Sequence, residues 1–179
     1  MKTLVSLCFG ISLFGVNLAL ASEVLVLGNE SMPFNGIVNG KNAGITIEIL
    51  QEATKHGAPT FRYRLGLPWK RAQNMVLEAG NNATALIPLT RTSKRESQYV
   101  WIADMFTHQP RLSTTVLTSL PLEKAKNLDI GVIRGSAMIP LFEQIGLIKL
   151  MQVDSALQNA KKLANGRLDA VAESQYVDT

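Results

Sequence analysis

The segment after residue 22 alternates between short apolar runs and longer stretches in which apolar residues recur every three or four positions. Short apolar runs are typical of buried strands, and the longer pattern is typical of helices with one apolar face. A strand followed by a helix and another strand favours a parallel sheet, because the helix returns the chain along one face of the sheet. The sequence therefore predicts an α/β protein.

The first half of this pattern predicts three strands and two helices. The strands are expected at residues 23–27, 60–65 and 83–88, and the helices at residues 45–55 and 68–80. Gly57 is the expected cap of the first helix, and Pro68 suits the first turn of the second. Residues 28–44 are expected to form a loop, and function is often carried by such loops.

The pattern restarts after Trp101 and predicts a second set of elements. Strands are expected at residues 111–117, 129–133 and 168–172, with one helix at residues 135–144 and another that is capped by Asp154 and ends at Gly166. Two α/β lobes in series are therefore predicted, the first over residues 22–106 and the second over residues 107–179.

The N-terminal segment has the organisation of a signal peptide. Lys2 provides a positive charge, residues 4–18 are apolar, and Ala19-Leu20-Ala21 matches a cleavage site, so we expect residues 1–21 to be removed. A membrane anchor is the alternative, but the apolar run is short for a span of about 20 residues. Cys8, the only cysteine, lies in this segment, so a mature chain would contain no thiol or disulfide.

Composition argues against several functional classes. The net charge is only +4, and no run of four basic residues occurs, so no nucleic-acid partner is expected. His56 and His108 lack metal-ligand spacing, and we expect no metal and no cofactor. The chain contains no G-x-S-x-G motif, and Glu48 reads as a solvated helix residue rather than half of a carboxylate pair with Glu30. The protein is therefore not expected to be an enzyme.

A cluster of cations follows the third strand. Residues 93–96, with the sequence SKRE, fit a capping box that would place Arg95 in the first turn of a short helix. A cation is unfavourable at a helix N-terminus unless an anion binds there, so this stretch suggests a carboxylate receptor. The alternative is that Lys94 and Arg95 are surface charges that Glu96 neutralises.

Three loops are expected to meet at the carboxyl edge of the first sheet, where open α/β sheets bind ligands. They are residues 30–34 (ESMPF), 67–71 (LPWKR) and 90–95 (TRTSKR). Phe34 and Trp69 offer apolar faces, and Thr90 offers a hydroxyl. Trp69 has an alternative interpretation, in which it packs beneath the loop.

Several segments together resemble the family 3 solute-binding proteins, the bacterial periplasmic receptors best known for polar amino acids. The segments are GKNAGITIEILQEATKHG (40–57), LPWKRAQNMVLEAG (67–80), TRTSKRESQYVW (90–101), DIGVIRGSA (129–137) and LANGRLDAVAES (163–174). The resemblance implies a type II periplasmic-binding-protein-like fold, with two α/β lobes joined by a hinge. It also implies a periplasmic monomer that passes a small carboxylate-bearing solute, an amino acid or a related acid, to an inner-membrane ABC permease or a sensor.

The same resemblance implies roles for individual residues. Arg95 would grip the ligand carboxylate, and Thr90 and Ser136 would provide hydrogen bonds from the two lobes. Phe34 and Trp69 would form an aromatic wall around the apolar part of the ligand. Two further candidates are Arg91, which would help electrostatically, and Glu30, which begins the first loop.

The sequence departs from the family pattern at two places. Glu173-Ser174 stands near the position of the family's aspartate for the ligand ammonium, and the chain stops at Thr179, before the expected return to the first lobe. We therefore expect an incomplete second lobe and an incomplete return to the first. These departures favour a second hypothesis, that the chain is a ligand-free or sensory interaction module without a transport role.

Overall fold

The computed structural model describes residues 23–80, 82–115 and 121–176. The predicted signal peptide with Cys8, and residues 116–117 of a predicted strand, lie outside these ranges. The described strands are β1 Glu23–Leu27, β2 Gly36–Val38, β3 Lys41–Ala43, β4 Thr60–Arg64, β5 Thr84–Leu86, β6 His108–Thr114, β7 Ile130–Ile133, β8 Leu150–Val153 and β9 Ala170–Tyr176. The described helices are α1 Ile45–Lys55, α2 Trp69–Glu78, α3 Leu122–Ala125, α4 Met138–Gln144 and α5 Ala156–Ala164. None of them is long and apolar enough to cross a membrane.

The first sheet has the strand order β4-β1-β5, and both pairings of β1 are parallel. Adjacent residues of a strand face opposite sides, so Val26 and Leu27 of β1 support separate cores. Val26 packs in a buried cluster with Ile47 of α1, and Leu27 packs in another with Trp69 and Ala72 of α2. One helix therefore covers each face of the sheet, as an α/β pattern predicts.

The second sheet has the order β6-β9-β7-β8. β7 is parallel to both of its neighbours, whereas β6 runs antiparallel to β9. Its core joins Ile130 and Val132 of β7 to Met138 and Phe142 of α4, and Leu147 lies in the same cluster. Residues 87–107 connect the two sheets.

The structure adds elements that the sequence reading missed. The predicted loop at residues 28–44 contains a hairpin of β2 and β3, which turns at Asn39 and Gly40 with positive φ at both residues. An Asn-Gly pair between two strands is a strong hairpin signal, and it was present in the sequence. β8 and α3 were also missed, because each is only four residues long and lacks a measurable period.

The start of β6, the end of β9 and the cap of α5 were predicted incorrectly. β6 begins at His108 and β9 continues to Tyr176, because these strands pair with each other over their whole described length. The cap of α5 is Ser155, whose side chain accepts a hydrogen bond from the Gln158 N–H, and not Asp154. Asp154 instead accepts a hydrogen bond from Arg134 Nε at 3.0 Å.

The fold requires a glycine at position 28. A methyl group there would lie 2.8 Å from the Ile87 carbonyl oxygen, which is backbone and cannot move aside easily. We expect Gly28→Ala to lower the free energy of unfolding by about 1–3 kcal/mol. Gly36→Ala is the matched control, since its methyl group would meet only the flexible side chain of Met32. Urea unfolding of both variants measures the difference, and equal stabilities would contradict the close approach at Gly28.

Candidate functional site

The loops that follow β1, β4 and β5 meet at the carboxyl edge of the first sheet, as predicted. Gly28 N–H donates to the Arg64 carbonyl at 3.3 Å, and Leu67 N–H donates to the Gly28 carbonyl at 3.1 Å. Ile87 N–H donates to the Leu27 carbonyl at 3.0 Å. Backbone hydrogen bonds therefore hold the three loop origins together, independently of any side chain.

Arg95 lies between this edge and the second sheet. Its Nη1 donates to the Thr90 carbonyl at 2.8 Å, and its Nη2 donates to the Gly135 carbonyl at 2.9 Å, in the loop between β7 and α4. The side chain is half-buried, and this burial lowers the pKa of Arg95. The guanidinium nevertheless stays charged at neutral pH. A cation thus bridges the loops of the two sheets.

The Gly135 carbonyl accepts a second hydrogen bond from the first half of the chain. Nε2 of Gln73, a buried residue of α2, donates to it at 3.0 Å. Gly135 has a φ of 77°, and a methyl group there would lie 3.0 Å from Gln73 Nε2, so both backbone conformation and space favour glycine. Sequence reasoning missed Gln73, because an amide on a helix is ordinarily a surface residue.

Thr90 is held at both its backbone and its side chain. Its carbonyl accepts from Arg95, and its Oγ1 lies 3.0 Å from Nε2 of His108 at the start of β6. The other ring nitrogen of His108, Nδ1, is buried and has no hydrogen-bond partner in the described part of the chain. Burial lowers the pKa of His108. The sequence analysis considered His108 only as a metal ligand and assigned it no contact.

The short helix predicted after Ser93 is absent. Residues 93–98 form turns, in which Arg95 N–H donates to the Thr92 carbonyl at 2.9 Å and Gln98 N–H to the Arg95 carbonyl at 3.0 Å. The capping box fails because Glu96 binds Arg91 instead. The predicted helix N-terminus therefore contributes nothing to an anion site, and any attraction for an anion must come from side chains rather than from free helix N–H groups.

Arg91 is exposed and bound by its neighbours. Its Nε and Nη2 donate to the two carboxylate oxygens of Glu96 at 2.8 and 3.0 Å, and its guanidinium lies 5.3 Å from the Trp101 ring centroid. The hydrogen bonds from Arg91 also lower the pKa of the Glu96 carboxyl. The charge of Arg91 is thus neutralised locally, while Lys94 is exposed.

The two candidate aromatic residues differ in their surroundings. Phe34 is buried and stacks on Phe106 with ring centroids 4.6 Å apart and planes inclined by 18°. Trp69 is 8% exposed and packs with Leu27 and Ala72 in the core of the first sheet. Trp69 therefore packs in the core, as in the alternative interpretation in which it lies beneath the loop.

The remaining candidates lie at the edges of the site. Ser136 Oγ accepts a hydrogen bond from the Met138 N–H at 3.2 Å, ahead of α4. Glu30 is exposed in the loop after β1. Glu173, on β9, accepts a hydrogen bond from the Ser113 hydroxyl of the neighbouring strand. Among residues 23–80, 82–115 and 121–176, no group of three His, Cys, Asp or Glu side chains could hold a metal ion.

Neither a protein-family model nor a curated protein matches the chain. Solved structures do match, including an ancestral arginine-binding protein bound to glutamine, with a TM-score of 0.69 and 21% identity over 85% of this chain and 69% of that chain. A second is ArtJ, the arginine-, lysine-, histidine-binding protein of Geobacillus stearothermophilus, with a TM-score of 0.70 and 18% identity over 85% and 67%. A third is the ancestral amino acid-binding protein AncCDT-1, a precursor of cyclohexadienyl dehydratase, with a TM-score of 0.71 and 14% identity over 86% and 71%.

The chain has the type II periplasmic-binding-protein fold. This confirms the fold that the sequence resemblance implied. Within this fold, a network of hydrogen bonds joins α2 and the loop after β5 to the second sheet. It consists of Arg95, Thr90, Gln73, Gly135 and His108. Identities below 25% establish the fold alone, so the role of these residues must be argued from their chemistry.

The buried histidine predicts a pH dependence of stability. Because the pKa of His108 is lowered in the folded state, the unfolded chain takes up a proton first as the pH falls, and the folded state loses stability. We expect the free energy of unfolding to fall more steeply below about pH 6.5 in the natural chain than in His108→Gln. Denaturant unfolding at a series of pH values tests this. His56→Gln, at an exposed position, is the control and should behave like the natural chain. If stability falls with pH as steeply in His108→Gln as in the natural chain, the prediction is refuted.

Proposed function

We propose that the chain is an exported receptor of the family 3 type, which binds a small amino acid or related acid without changing it chemically. The single observation that carries this proposal is the state of Arg95. Its half-buried guanidinium contacts two backbone carbonyls, and the described residues place no carboxylate within ion-pair distance of it. A neutral carbonyl satisfies a donor but leaves the charge uncompensated.

Charge compensation by a bound solute would resolve this. An arginine has more N–H donors than the two used here, and a planar guanidinium matches a carboxylate bidentately. The attraction is stronger in a partly buried site than at the surface, because water screens it less. Arg91 provides the contrast, since its charge is already matched by Glu96. The two arginines, four positions apart, thus have different capacities for an added anion.

The other candidates would complete such a site. We propose that Thr90 and Ser136 provide hydrogen bonds from the two lobes, over residues 22–106 and 107–179. Phe34 and Trp69, which are buried in the first half of the chain, would support the apolar side of the site from beneath. Arg91 and Glu30 lie on the exposed rim, where their contribution is the long-range field rather than contact. Cleavage of residues 1–21 would release the receptor into the periplasm as a monomer, to deliver its solute to an inner-membrane ABC permease or a sensor.

A second function is favoured by a different observation. Several candidate contacts are already made within the chain: Arg95 binds the Gly135 carbonyl, Phe34 stacks on Phe106 and Trp69 packs in the core. A module that had lost its solute would satisfy these side chains internally, and the hydrogen bond from Arg95 to Gly135 would hold its two lobes together. This alternative predicts a stable fold that no small solute stabilises.

Thermal unfolding in the presence of candidate solutes distinguishes the two functions. A solute that binds only the folded chain, at 100 times its dissociation constant, should add about 2.7 kcal/mol to the free energy of unfolding. For a chain of this size we expect the midpoint to rise by about 5–10 °C. The panel includes arginine, glutamine, glutamate and alanine. Each amino acid is compared with its α-carboxamide, which lacks the charged α-carboxylate.

The arginine variants assign the effect to one side chain. We expect Arg95→Ala to abolish the shift and Arg95→Lys to retain part of it, because a lysine keeps the charge but not the planar fork. Arg62→Gln is the matched control. Arg62 is an exposed arginine of β4, and it is paired with Glu23 of β1. A shift that survives in Arg95→Ala would remove the centre of the proposal, and a cooperative transition with no shift for any solute would favour the ligand-free module.

A further inference from the structure

His108 contacts the candidate site through a single residue. Its Nε2 lies 3.0 Å from Thr90 Oγ1, and the carbonyl of the same threonine accepts from Arg95 at 2.8 Å. Thr90 therefore contacts His108 through its hydroxyl, and through its carbonyl it contacts the cation that we expect to hold a solute. Either the hydroxyl or the imidazole provides the proton in the hydrogen bond between Thr90 and His108. This choice determines whether the hydroxyl can donate a hydrogen bond to the solute or only accept one.

The surroundings of the ring decide the proton's position. A neutral imidazole carries its proton on one nitrogen only. If that nitrogen were Nδ1, a buried N–H would lack an acceptor among the described residues, because Nδ1 has no partner there. A buried donor without an acceptor is costly, and such donors are rarer than under-satisfied acceptors. The proton therefore belongs on Nε2, which donates to Thr90.

The direction of this hydrogen bond determines the chemistry of Thr90. A threonine hydroxyl has one proton to donate and lone pairs with which to accept. Since Oγ1 accepts from His108, its own O–H proton is left to donate elsewhere. The ring is neutral at pH 7, because burial lowers the pKa of His108. The bond therefore has one direction under ordinary conditions.

We propose that His108 is a positioning residue, which turns the Thr90 hydroxyl into a hydrogen-bond donor toward the solute. This inference rests on the proposed function and makes it more specific. A donor hydroxyl on Thr90 and the guanidinium that binds the carbonyl of the same residue both favour an oxygen acceptor with negative charge. The solute group at this point is thus a carboxylate oxygen, and an ammonium group is excluded from it.

The ring tautomer can be measured without any solute. In the ¹⁵N-labelled full chain, long-range ¹H–¹⁵N correlation spectra at pH 7.5 distinguish a protonated Nε2 from a protonated Nδ1. The chain has only two histidines, so His56→Gln assigns the signals of His108. We expect the Nε2–H tautomer for His108. An Nδ1–H tautomer would overturn the proposal, even if the chain binds carboxylates, and would leave the proposed function standing.

Binding measurements test the coupling between the two residues. We expect Thr90→Val and His108→Phe each to weaken carboxylate binding about tenfold, and the double variant to be no weaker than Thr90→Val alone. Thr90→Ser keeps the hydroxyl and His108→Gln keeps an N–H donor, so both should retain most of the affinity. Urea unfolding verifies that each variant is folded. If Thr90→Val or His108→Phe fails this check, the tautomer of His108 in the natural chain decides the proposal.

The outcomes separate the two proposals. Additive losses in the double variant would overturn the positioning role, while retention in Arg95→Ala would overturn the proposed function instead. Equal losses for a carboxylate solute and its carboxamide would also count against the assignment, because a donor hydroxyl beside a cation should discriminate between them. If the tautomer is Nε2–H and no carboxylate binds, the inference about the solute class is wrong.

Discussion

The Gly135 carbonyl is the acceptor on which the arrangement of the candidate site depends. It belongs to the loop after β7, and it receives one hydrogen bond from Gln73 on α2 and another from Arg95 in the loop after β5. A carbonyl oxygen has two lone pairs, so both donors can be satisfied at once. The amide and the guanidinium, which come from the first half of the chain, are thereby held together at one point of the second sheet.

If Arg95 binds a solute as proposed, this shared acceptor links binding to the relative position of the two sheets. A carboxylate would compete with the Gly135 carbonyl for the N–H group of Arg95. The amide of Gln73 carries no charge and therefore has little attraction for an anion. A solute that bound Arg95 would leave the hydrogen bond from Gln73 to Gly135 in place. The two sheets would then remain connected while the guanidinium exchanged the carbonyl for the solute. A ligand can shift such an equilibrium only by its difference in affinity for the two arrangements.

Much of the fold could be predicted because its signals are local. The helix α1 agrees with its prediction at both ends, since Gly44 precedes it and Gly57 follows it with positive φ. In the first sheet, β1 is a short apolar run, and β4 alternates apolar residues with arginines. Predictions were wrong where an element depends on a partner outside it. The start of β6 and the end of β9 are determined by their mutual pairing, and the turns at residues 93–98 by the preference of Glu96 for Arg91.

The candidate site was predictable only in part, for the same physical reason. Arg95 and Thr90 follow a strand and could be placed at its carboxyl end from local sequence. Gln73 and His108 could not, because their identity as site residues comes from contacts 62 and 18 positions away along the chain. Each is a polar side chain that is inconspicuous in its own element. Burial changes this, since an amide or an imidazole removed from water must find a partner. The buried polar groups Gln73 and His108 therefore determine the hydrogen-bond arrangement of the candidate site.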